Sequence, residues 1–167
     1  MFFYFILMAL TNNVLVSDFL FSILQYLGFI FLVYWLYRQL FPGIAARYTT
    51  LFIYLMFLFL LIPVFENRLE ITFQLLSISY HFGATIMALL SYNILIKYFN
   101  TRRRLWMILL ISAVILGTAN DRLYLVQFVF PAAVLAALLF DENNRKKLLI
   151  PLAAIALSAV AGIYLFR

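Results

Sequence analysis

Lys97-Tyr98-Phe99-Asn100-Thr101-Arg102-Arg103-Arg104-Leu105-Trp106 places four of the chain's twelve basic residues in one short junction between two apolar blocks. Two other junctions have the same character: Arg38 with Arg47, and Arg145 with Lys146 and Lys147. The junctions between them are acidic or mixed, around Asp18, Glu66/Glu70 and Asp121. Basic residues confined to alternate loops are the charge bias of a polytopic membrane protein, whose Lys- and Arg-rich loops stay in the cytoplasm.

Composition agrees. Of the 167 residues 68% are hydrophobic and 11% charged, with mean hydropathy +1.09, more apolar surface than one water-soluble domain of this size can hide. The net charge of +6 does not mark a nucleic-acid surface, because nine of the twelve basic residues sit in the three junctions, where anionic headgroups are the expected contact. Membrane lipids are therefore expected partners and nucleic acid is not. There is no cysteine, which excludes disulfides, thiolate nucleophiles and cysteine metal sites. Residues 1–10 lack a basic n-region and a small-residue cleavage site, so a removable signal peptide is not expected.

A spanning helix needs about 20 mostly apolar residues. Residues 19–37, 48–65, 82–99, 123–140 and 148–166 meet that requirement, residues 105–117 are short, and residues 1–16 are interrupted by Asn12 and Asn13. The expectation is an all-α polytopic transmembrane helix bundle of six to seven spans, one domain over 1–167 with no soluble part. Seven crossings put the N-terminus inside and Arg167 outside, as for a multi-pass protein of a bacterial cytoplasmic membrane. Tyr34, Trp35, Tyr37, Tyr48 and Trp106 stand at headgroup level beside the basic junctions. Residues 66–81 read equally as an interfacial helix on the outer surface or as the start of a long tilted span from 71 to 98.

Early spans are crowded with Phe, Tyr and Leu, whereas Ala154, Ser158 and Gly162 recur at four-residue spacing on one face of the last. Small residues let helix backbones approach closely in lipid. That face serves either packing within the chain or a helix partner.

The outer junctions hold the groups able to do chemistry: Asp18, Glu66, Arg68, Glu70, His81, Asp121 and Arg122. Asn120-Asp121-Arg122 reads as a tight turn whose side chains cap the next helix. Its functional reading has Asp121 accepting a proton or a sugar hydroxyl while Arg122 pairs with a phosphate oxygen. Glu66 and Glu70 share a helix face with Arg68 turned away, either a solvated surface or a site for a cation and a lipid phosphate. His81, at the mouth of a span, is an interfacial anchor or a substrate contact; a single histidine makes no zinc site, and no metal is expected. Gln25, Asn93 and Gln127 lie inside spans and suit interhelical hydrogen bonds better than a translocation path, since none is ionisable.

From about Asp18 to Phe140 the chain resembles the central helices of the C-type membrane glycosyltransferases, which take sugar from a polyprenyl-phosphate donor at the outer membrane face. The resemblance rests on Tyr34-Trp35-Leu36-Tyr37-Arg38-Gln39-Leu40-Phe41-Pro42 closing a span, on Ser79-Tyr80-His81-Phe82-Gly83 opening one, and on Asn120-Asp121-Arg122 followed by Pro131. It implies inverting sugar transfer, with Asp18, Asp121 and His81 as catalytic candidates and Arg68, Arg122, Glu66 and Glu70 as substrate contacts. The family carries an acidic pair in its first outer loop where this chain has only Asp18, and its members are much longer. A fragment, a degenerate copy and an accessory subunit are all compatible with the pattern. The alternative readings are a non-enzymatic membrane subunit that binds lipid or a partner helix, and, less favoured, a small-solute transporter.

Overall fold

A computed structural model describes residues 2–41, 43, 48, 80–138 and 145–165, and every element among them is a helix. The chain forms two compact units, Met1–Phe82 and Gly83–Arg167.

In the first unit α1 (Phe2–Thr11) and α2 (Val14–Leu40) pack against each other across a two-residue turn. Asn12 takes a left-handed conformation at φ 49°, which asparagine tolerates better than most residues, and donates its N–H to the Met8 carbonyl at 2.9 Å. Asn13 then turns extended, and its Oδ1 accepts the Val16 N–H at 3.3 Å as the N-cap of α2. The Thr11 and Ser17 hydroxyls close the corner at 2.6 Å. This revises the expected first span. A ten-residue helix is roughly 15 Å long, about half the apolar thickness of a bilayer, so α1 alone does not cross one. It also moves Asp18 from a loop into the body of α2, which begins at Val14 and not at residue 19.

The second unit contains α3 (Tyr80–Thr101) from Gly83 onward, α4 (Arg104–Asn120), a π-helical turn (Leu125–Val129) that continues into α5 (Phe130–Leu138), and α6 (Arg145–Leu165). Arg102 ends α3 in the left-handed region at φ 54°, its N–H on the Tyr98 carbonyl at 2.7 Å and its guanidinium 5.6 and 5.1 Å from the Tyr98 and Phe99 ring centres. The span expected over 105–117 is a helix of 17 residues, roughly 25 Å, made longer by Arg104 and by Thr118, Ala119 and Asn120. The span expected over 48–65 lies outside the described residues except for Tyr48, as do both readings of 66–81 up to residue 79.

The core of this unit joins Ala84, Ala88, Ile94 and Leu95 of α3, Leu110, Ala113 and Val114 of α4, Tyr124, Phe128 and Ala132, and Ile155 and Ala159 of α6. Helices α4 and α6 share the most extensive packing. The two helices come close at Gly162, where an added Cβ would fall on the Thr118 hydroxyl and stand 2.8 Å from the Ile115 carbonyl oxygen. Of the small-residue stripe, Gly162 therefore packs against α4, and Ser158 is buried.

Among the described residues two helices, α2 and the Leu148–Leu165 part of α6, are long and apolar enough to cross a membrane, and α4 and the Leu125–Leu135 stretch are shorter apolar helices. Large side chains on these helices face outward, with Phe31 60%, Phe130 66% and Leu157 71% exposed.

Candidate functional site

The corner between α4 and the π turn is built around Asp121. Its backbone N–H closes α4 on the Gly117 carbonyl at 3.0 Å, its carbonyl accepts the Tyr124 N–H at 3.1 Å, and its Oδ1 accepts the Leu123 N–H at 2.8 Å. One carboxylate oxygen therefore satisfies a helix-start N–H that has no partner within its own helix. Asp121 is half-buried, while Arg122 is exposed and adjacent.

Three contacts hold this corner in place. The Tyr124 ring is fully buried against Gly117, where a Cβ would lie 2.7 Å from two ring carbons. The Tyr124 hydroxyl meets the buried Ser91 hydroxyl of α3 at 2.6 Å, and Ser91 also donates to the Met87 carbonyl at 2.8 Å. Phe128 packs between two tyrosines, edge-on to Tyr92 at 4.9 Å and tilted to Tyr124 at 5.5 Å.

The π turn itself follows from Pro131. In an α-helix the Gln127 carbonyl would accept from residue 131, and proline has no N–H to give. The Tyr92 hydroxyl donates to that carbonyl instead, at 2.9 Å, and the Phe130 N–H reaches back to Leu125 in the wider i→i+5 spacing. The Gln127 side chain bridges to Thr85 of α3, with Nε2 to Oγ1 at 3.1 Å. The interhelical role expected of Gln127 is thus observed, and the buried Asn93 amide donates one bond to the Leu89 carbonyl of its own helix at 2.9 Å.

The remaining sequence candidates are placed unevenly. Asp18 is half-buried in α2 of the first unit, where its backbone carbonyl accepts the Ser22 hydroxyl at 2.8 Å. His81 lies in the first turn of α3, its side chain outside the described set, and Glu66, Arg68 and Glu70 lie outside the described residues altogether. Among the described residues no three His, Asp or Glu side chains gather as a metal site. The trio of Ser91, Tyr92 and Tyr124 escapes a reading of the sequence alone. Its only signal there is a Ser-Tyr pair inside one apolar span and a tyrosine shortly before Pro131 in another, which hydropathy does not weigh.

No family model, curated protein or solved structure matches this chain.

Proposed function

We propose that this is a multi-pass protein of the bacterial cytoplasmic membrane, glycosyltransferase-like, working on a polyprenyl-phosphate sugar donor at the outer face. The basic junctions at Arg38, Lys97–Arg104 and Arg145–Lys147 then face the cytoplasm, and the Asn120-Asp121-Arg122 corner faces outward. The observation that supports this reading best is the corner itself: an acid and an exposed arginine side by side, fixed by the buried Tyr124 and followed at once by a π turn, an irregularity frequent at functional sites. In the reaction Asp121 receives the proton of an acceptor hydroxyl as it attacks the sugar, and Arg122 holds the phosphate of the departing lipid. Asp18 and His81, with Arg68, Glu66 and Glu70, complete the outer set in this proposal.

A second reading, an accessory membrane subunit without catalysis, is favoured by the Oδ1 of Asp121 already being used to cap Leu123. One experiment separates the two. Asp121→Asn keeps the Oδ1 acceptor and removes the charge, so the cap survives and the base does not. Sugar transfer from a polyprenyl-phosphate donor in membranes carrying the variant is expected to be lost while the unfolding temperature is unchanged. Unaltered transfer rejects Asp121 as the base, and destabilisation by Asp121→Ala alone would leave it as a cap.

A further inference from the structure

At the opposite, basic end of the second unit a shallow, open apolar groove lies between three helices. Leu95 and Phe99 of α3, Leu135 of α5, and Leu148 and Leu152 of α6 form its walls, with Ala132 and Pro151 buried at its base. Every side chain lining it is apolar, so water gains nothing by filling it. Its rim is charged. Phe99 carries the Arg102 guanidinium 5.1 Å from its ring centre, Arg103 and Arg104 follow and are exposed, and α6 reaches Leu148 directly after Arg145-Lys146-Lys147. Asp141 and Glu142 are the only acids in the sequence of these two junctions, against seven basic residues counting Lys97.

We infer that this groove binds one acyl chain of an anionic phospholipid, whose phosphate is held by Arg102 and the exposed Arg103 and Arg104 at the start of α4. The two halves of such a lipid match the two halves of the site: a chain of methylenes suits an apolar slot, and a phosphodiester suits planar guanidinium donors at its mouth. The stacking of Arg102 on Phe99 and Tyr98 holds the guanidinium beside the slot. The left-handed backbone at Arg102 turns the chain from α3 toward α4 with the arginine at the corner. A zwitterionic lipid offers the same chain without the net charge, so the site discriminates by headgroup. It lies at the end away from Asp121 and is independent of the proposed sugar transfer.

The test is native mass spectrometry of the full chain in detergent, titrated with dioleoyl-phosphatidylglycerol or dioleoyl-phosphatidylcholine. One phosphatidylglycerol is expected to stay bound in preference to phosphatidylcholine. Arg102→Gln should weaken it by roughly fivefold, the effect of one basic residue near an anionic lipid. Ala132→Phe, which fills the base, should abolish the preference, and Leu135→Trp at the exposed rim gives the same reading if the buried variant does not fold. Equal retention of the two lipids overturns the site. So does loss with Arg102→Gln but not with either groove variant, which would leave surface attraction only, or a dimer that carries no lipid, which would put a second chain in the groove.

Discussion

Tyr124 is locked between two helices by what Gly117 lacks: the ring occupies the space a Cβ would need, 2.7 Å from where that atom would stand. The hydroxyl at the far end of the ring then reaches Ser91 at 2.6 Å. Steric fit and hydrogen bond therefore act on one side chain, and the direction in which Asp121 and Arg122 leave α4 depends on both.

Gly117→Ala tests the steric half. Alanine improves helix propensity by about 1 kcal/mol, but the added methyl meets a ring with no exposed surface and overpacking costs roughly 1–3 kcal/mol. The clash wins, because Tyr124 cannot retreat without breaking its bond to Ser91. The variant should unfold at a lower temperature in detergent. Tyr124→Phe and Ser91→Ala should each cost about 1 kcal/mol and be markedly less than additive together, as two partners of one bond are.

Tyr92 and Pro131 are coupled through the Gln127 carbonyl, which neither owns. Tyr92→Phe leaves that part-buried oxygen without its hydroxyl donor, a loss of about 1 kcal/mol. Pro131→Ala supplies a backbone N–H to the same oxygen and lets the π turn relax toward α spacing. In the Pro131→Ala background, Tyr92→Phe should therefore cost much less than in the parent. Equal costs in both backgrounds, measured as unfolding free energies in a double-mutant cycle, would show that proline and tyrosine act separately.

At the other contact of α4, Gly162→Ala drives a methyl into the Thr118 hydroxyl and the Ile115 carbonyl oxygen. A backbone atom cannot give way as a side chain can, so Thr118→Ala should restore only part of the lost stability. The measurement is the unfolding temperature of the single and double variants. Full recovery would place the whole conflict on the Thr118 side chain.

Helix ends were the most legible part of the sequence. Asn12 and Asn13 interrupt an apolar run and do end one helix and cap the next, and Asn120-Asp121-Arg122 turns and caps as its residue types suggest. What hydropathy could not weigh was length against closure: the apolar residues on both sides of Asn12 looked like one weak span, but a left-handed asparagine followed by a capping one makes a corner. The π turn was illegible for a related reason. Pro131 announces a missing N–H, yet only the structure brings Tyr92, 35 residues before Gln127, to the carbonyl that loses it. The small-residue stripe at Ala154, Ser158 and Gly162 was visible from spacing, and the approach of Gly162 to α4 was not.

The outer placement of Asp121 and Arg122 is the assumption on which the proposed chemistry stands, and α4 makes it measurable. Arg103 and Arg122 are exposed just beyond the two ends of this 17-residue helix, roughly 25 Å apart along its axis. The chain has no cysteine of its own, so Arg103→Cys and Arg122→Cys each add a single thiol to an unlabelled background. In sealed right-side-out vesicles a membrane-impermeant thiol reagent should modify the chain carrying Arg122→Cys and leave Arg103→Cys untouched until the membrane is opened. Neither position carries the cap or the Tyr124 contact, so folding does not confound the result. Labelling of Arg103→Cys alone would invert the molecule and place the acid beside cytoplasmic substrates, where a polyprenyl-phosphate sugar presented outside cannot reach it.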